Sequence, residues 1–163
     1  MWHKGKTNIQ FDTNYKNFPY KKNDIDIRQK EQWQKLGYNH KSFNGEMFND
    51  LEKIPNWCYD VALDIGLKKP GFTFYKMVTN DIMPLHKDHF SKYCQVFDVP
   101  IEKVYRAAVF LEDWKSGHYF EIEGQAVVNW NCGDYVLWSY NAEHAASNIG
   151  IEDRYTLQVT GQL

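Results

Sequence analysis

From Gly71 onward the chain alternates short apolar-rich runs with turn residues. The runs are FTFYKMVT (72–79), LHKDHF (85–90), VYRAAVFLE (104–112), HYFEIE (118–123), AVVNW (126–130), DYVLWSY (134–140), HAASNI (144–149) and YTLQVTG (155–161). KSG, GQ, NCGD and GIED lie between them, all residues that favour tight turns. Strands at this spacing, with few helices among them, predict a mainly β fold of the jelly-roll kind. Upstream, Cys58, Val61, Ala62 and Ile65 recur at i, i+3, i+4 and i+7 after Pro55, with Gly66 placed to cap. This predicts a helix over 55–66 that covers the outer face of one sheet at Tyr155, Leu157 and Val159. A shorter helix is expected around Glu46–Lys53. The first forty residues are weakly periodic and are expected to form loops and short elements.

The chain has 163 residues, which suits one domain: residues 1–70 as an N-terminal arm with supporting helices, residues 71–163 as the β core. No apolar run reaches the length of a membrane span, so no membrane partner is expected. The N-terminus lacks the apolar segment of a secretory signal. Cys58, Cys94 and Cys132 are odd in number and form no CxxC pair, which argues against a disulfide framework and a thiolate zinc site. A reducing, cytoplasmic location is the expectation. The net charge of −2 is unevenly spread: residues 1–41 carry nine Lys/Arg against four Asp/Glu, and the remainder is acidic. A basic arm on an acidic body reads first as a solvated leader, with an acidic partner or nucleic acid as the lesser alternative.

In LHKDHF, alternation along a strand puts His86 and Asp88 on one face, within reach of one ion, and His89 on the other. A His-x-acid pattern is expected about 0.8 times in this composition, so it carries little alone. A third ligand must come from elsewhere, from His118 or His144. His144 is followed ten residues on by Arg154 and then Thr156, a spacing that chance supplies roughly 0.6% of the time. Arg154, Thr156 and Gln158 share a strand face opposite Tyr155, Leu157 and Val159. An inward Arg is costly unless it meets an anion, and its planar fork matches a carboxylate, with the Thr156 hydroxyl as a further donor. The partner is either a protein acid or a ligand carboxylate. Arg106 is read as half of a structural ion pair, with a second anion contact as the alternative. Trp138 and Tyr140 are read as aromatic core.

Two His and one carboxylate with open positions is the ligand set of non-haem Fe(II) oxygenases. On the order His86-Lys-Asp88, His144, Arg154-Tyr-Thr156, over about residues 71–162, the chain resembles the Fe(II)- and 2-oxoglutarate-dependent oxygenases, the prolyl-hydroxylase-like branch above all. The resemblance implies a double-stranded β-helix (jelly-roll, cupin-like) core supported by N-terminal α-helices. It implies that His86, Asp88 and His144 hold Fe(II), that Arg154 and Thr156 bind the distal carboxylate of 2-oxoglutarate, and that Tyr75 contacts the cosubstrate. With O2, the oxo acid would be decarboxylated to succinate as a substrate is hydroxylated. The short chain leaves little for large lids, which points to a peptide or protein substrate, proline being the first guess; a small molecule stays open. Two rival readings also stay open: a cupin-type metal enzyme that uses no oxo acid, and a non-catalytic module that binds an anion or a protein partner. The segment 91–104, with Lys92, Tyr93 and Phe97, has no counterpart in the family pattern and is a candidate for the cavity mouth.

Overall fold

The structure is a computed structural model that describes residues 1–23, 25–39 and 45–163. Its elements in chain order are β1 (Trp2–Lys6), β2 (Lys21–Lys22), α1 (Ile27–Lys35), β3 (Glu46–Phe48), α2 (Trp57–Ile65), β4 (Lys68–Met77), β5 (Ile82–His86), α3 (Ser91–Phe97), β6 (Tyr105–Phe110), β7 (His118–Ile122), β8 (Gln125–Val127), β9 (Asp134–Ser139), β10 (His144–Asn148) and β11 (Arg154–Gln162). The strands form two antiparallel sheets, ordered β1-β9-β6-β11-β4-β3-β2 and β5-β10-β7-β8. Strands β4 to β11 are therefore dealt between the sheets, with β4, β6, β9 and β11 in the larger and β5, β7, β8 and β10 in the smaller. This is the jelly-roll arrangement that the spacing of runs and turns predicts. No helix among the described residues is long and apolar enough to cross a membrane.

The larger sheet is buried on both faces because α2 covers its back. Cys58, Val61, Ala62 and Ile65 form the helix's apolar stripe, and they share a core with Phe72, Phe74, Leu157, Val159 and the ring of Tyr155. The helix ends at Gly66, whose φ of 86° is the left-handed conformation a C-terminal cap requires. The front face meets the smaller sheet in a second core of Ala108, Phe110, Phe120, Ile122, Trp130, Val136 and Trp138. Trp138 thus packs as predicted.

The predicted helix over Glu46–Lys53 is instead strand β3 followed by a 3-10 turn, Leu51–Lys53. Glu46, Met47 and Phe48 pair with Lys76, Tyr75 and Phe74 of β4, whose edge would otherwise be open, and Phe48 packs on Phe18 and Phe74. In the first forty residues, expected as loops and short elements, the five-residue strand β1 pairs with residues 134–138 of β9. Residues 91–104 form α3 and a 3-10 turn. The Tyr93 hydroxyl donates to the Lys69 carbonyl at 2.7 Å, which docks α3 beside the start of β4.

Candidate metal centre

The smaller sheet supplies the histidines. His144 opens β10 and is the cross-strand partner of His86, the last residue of β5, so both project from one rung. LHKDHF is not one strand: the ladder stops at His86, and Asp88 lies in the irregular segment beyond it. The acid still arrives beside the histidines. Asp88 Oδ1 is 3.9 Å from His86 Nε2, and Asp88 Oδ2 is 3.5 Å from His144 Nε2. One ligand atom from each of the three lies within 4.8 Å of the others, so they can hold a metal ion. His89 is exposed at the rim and outside the cluster. His118, the other candidate for third ligand, is buried with Nε2 on the Glu152 carbonyl at 2.9 Å.

The far side of each imidazole is fixed by backbone. His86 Nδ1 is 2.7 Å from the Pro84 carbonyl, and His144 Nδ1 is 3.2 Å from the Ala142 carbonyl. Only a protonated Nδ1 can donate to these oxygens, so each Nε2 lone pair faces Asp88. Burial, with His144 beside it, pushes the His86 pKa down to about 4, which keeps its imidazole neutral. Burial works against the Asp88 carboxylate, yet Arg106, His144 and His86 together hold its pKa below the usual carboxylate range. Its Oδ2 is buried, and the Trp138 indole, close to the carboxylate, also favours the charged form. A buried carboxylate facing two imidazole lone pairs fits a cation that the three groups would share.

These residues open into a cavity of about 170 Å³ whose lining is more apolar than polar. Arg154, Thr156 and Gln158 of β11 line it, as the face alternation predicts, and Tyr75 of β4 is the cross-strand partner of Thr156. Arg154 is 4% exposed and pairs with no carboxylate among the described residues. Its Nη1 lies 3.1 Å from Met77 Sδ, its Nε has no partner, and the guanidinium carbon is 5.5–6.0 Å from the rings of Trp130, Phe110 and Phe120. Burial alone pushes its pKa down to about 10. The Tyr75 hydroxyl accepts from Asn23 Nδ2 at 3.4 Å, and burial raises its pKa.

Two parts of the site were not visible in the sequence. One wall comes from the N-terminal region, where Asn23, Ile25, Asp26, Gln29 and Trp33 line the cavity. Asp26 caps α1 by accepting from the Arg28 N–H, and Trp33 sets its ring edge-on to His86 while Nε1 donates to the Leu85 carbonyl at 3.4 Å. Residues 91–104 contribute nothing to the lining, so the candidate for the mouth is replaced by α1. The second part is Arg106. It is half of an ion pair, as expected, but its partner is Asp88, at 2.9 Å from Nη1 to Oδ1.

No protein-family model matches the chain, and no curated protein is significantly similar to it. Solved structures do align. A prolyl-4-hydroxylase of Pseudomonas putida superposes with a TM-score of 0.62 at 12% identity, over 99% of this chain and 92% of that one. A predicted oxalate decarboxylase of Thermotoga maritima gives 0.46 at 20% identity, over 74% and 82%. A cupin protein of Bacteroides fragilis gives 0.42 at 10% identity, over 59% and 68%. At 12% identity the prolyl-4-hydroxylase superposition speaks to architecture alone, and it agrees with the two-sheet double-stranded β-helix of this chain.

Proposed function

We propose that this protein is an Fe(II)- and 2-oxoglutarate-dependent dioxygenase that hydroxylates a residue of a peptide or protein, proline being the first candidate. The observation that carries the proposal is Arg154: a buried guanidinium without an acid partner among the described residues, facing the same cavity as a two-histidine, one-carboxylate cluster. An unpaired buried cation is costly, and a ligand carboxylate would satisfy it. A cupin-type enzyme that uses no oxo acid would leave this arginine without a purpose. The peptide assignment draws on the prolyl-4-hydroxylase neighbour and on the notion of an open cleft for an extended segment.

In this reading His86 Nε2, Asp88 Oδ2 and His144 Nε2 hold the iron, and the two backbone carbonyls behind the rings keep the imidazoles aimed. Arg154 binds the distal carboxylate of the oxo acid through its fork, with the Thr156 hydroxyl as a second donor and the Tyr75 hydroxyl as a further contact. Met77, Ala108, Phe120 and Ala146 line the cavity between and limit water around the reacting atoms. When bound, iron and oxo acid supply the oxidation by O2, in which 2-oxoglutarate is decarboxylated to succinate and an oxygen atom enters the substrate. The test is release of labelled CO2 from 1-¹⁴C-2-oxoglutarate under air with Fe(II) and a peptide library, with peptide masses read in parallel. Iron-dependent release and a mass gain of one oxygen, both lost in His144→Ala, support the proposal. Oxygen gain only on free amino acids or nucleotides refutes the peptide assignment, and release that needs no His144 refutes the site.

A further inference from the structure

We propose that Arg106 is a positioning residue that presents Asp88 to the metal through a single oxygen; the inference rests on the metal reading above and deepens it. Asp88 needs such a device because it lies outside the sheet. The two histidines are held by the β5–β10 ladder, whereas Asp88 follows the last laddered residue, His86. Arg106 comes from the opposite sheet, where it is laddered on both sides, to Trp138 of β9 and Thr160 of β11. Its Nε donates to Thr160 Oγ1 at 3.1 Å, which sets the plane of the guanidinium, and Nη1 then meets Asp88 Oδ1 at 2.9 Å.

The same guanidinium lies over the Phe90 ring, 4.6 Å from its centroid. Phe90 is buried, and its φ of 51° is a conformation that residues other than glycine rarely adopt. Arg106 therefore grips the segment after His86 at two points, Asp88 and Phe90. Oδ1, which lies between Arg106 and His86, is engaged by the guanidinium, and the buried Oδ2, 3.5 Å from His144 Nε2, is left for the metal. Asp88 is thereby set to bind with one oxygen. A lysine has the charge but not the fork that reaches Thr160 and Asp88 at once.

A cation near the site also repels a metal ion, so orientation and repulsion predict opposite effects of removing it. Cobalt(II) titration of the metal-free protein, followed by visible absorption and by competition with a chelator, separates them. If orientation governs, Arg106→Met and Arg106→Lys both weaken cobalt binding by about 10–100-fold, the usual range for partners of a metal ligand. Both also change the cobalt spectrum, because Oδ1 is freed to join the coordination. Thr160→Val, which leaves the charge in place, shifts affinity in the same direction by a smaller factor and serves if the Arg106 variants do not fold. Cobalt bound by Arg106→Met as tightly as by wild type, or more tightly, overturns the assignment, as does Arg106→Lys behaving as wild type. Wild-type protein that takes up no cobalt overturns the metal reading itself and the role of Arg106 with it. Wild type that binds while the variants bind equally well overturns only Arg106.

Discussion

Replacing Arg154 by methionine should make the empty protein more stable and the loaded protein less so. Burial lowers the Arg154 pKa from its ordinary value to about 10, which penalises the charged form by roughly 3 kcal/mol. The sign is that of a base depressed by folding: the penalty is present in full at neutral pH and is relieved only as the pH rises through 10. Contacts with Phe110, Phe120 and Trp130 offset part of it, by about 0.5–2 kcal/mol. Methionine has comparable length, needs no partner and would sit beside Met77. Arg154→Met should therefore raise the stability of dialysed, metal-free protein by about 1–3 kcal/mol. For a chain of this size that is a rise of roughly 2–12 °C in Tm. With Mn(II) and saturating 2-oxoglutarate under nitrogen the order should reverse. Wild type would gain about 4 kcal/mol at a thousandfold excess over Kd, more than the variant's lead, while the variant gains only what the metal supplies. Differential scanning calorimetry of both proteins in both states is the assay. An empty Arg154→Met protein that melts below wild type would mean that the guanidinium is satisfied internally, and the argument for a ligand carboxylate would fail.

Thr156→Val keeps shape and removes one hydroxyl, so half-saturation by 2-oxoglutarate should rise about 3–10-fold with Tm nearly unchanged, as one lost hydrogen bond requires; an unchanged half-saturation removes Thr156 from the site. Trp33 is the single buried residue of α1, and a helix of nine residues does not stand alone. Trp33→Ala should accelerate tryptic cleavage at Arg28, Lys30 and Lys35 several-fold, and cleavage at the wild-type rate would show that other contacts hold the helix. The metal-free protein should lose stability as the pH falls from 6.5 toward 4, because burial keeps His86 and His118 from binding protons that the unfolded chain takes up. For His86 the full effect is roughly 3 kcal/mol. Urea midpoints against pH should fall less steeply in His86→Gln, and equal slopes would contradict the assignment.

The eight strands of the core and α2 were legible because their signals are local: alternation, turn chemistry and a helical stripe ending in glycine. Strands β1 and β3 were not, since each is short and becomes a strand only by covering an edge offered by β9 or β4, which a local reading cannot see. Alternation in LHKDHF suggested one strand, but a strand lasts only as long as its partner, and β10 begins at His144 opposite His86. Asp88 reaches the histidines from a loop, by contacts with the other sheet. The juxtaposition of Arg154 and Thr156 followed from face alternation and an unlikely spacing. The pairing of Arg106 with Asp88 and the wall built by Asn23 to Trp33 join segments remote in sequence, and nothing in either segment advertises the other. An arginine ahead of an otherwise apolar strand, and an amphipathic helix with one tryptophan, were the available signals.

The central claim is that the histidine–carboxylate cluster and Arg154 together hold iron and an oxo acid. It is tested most directly by anaerobic titration of metal-free protein with Fe(II), with and without 2-oxoglutarate, followed by visible absorption. The account predicts a weak charge-transfer band that appears only when both are present, vanishes in His144→Ala, and needs far more 2-oxoglutarate in Arg154→Met. Folded protein that binds Fe(II) yet shows no band with the oxo acid would contradict it.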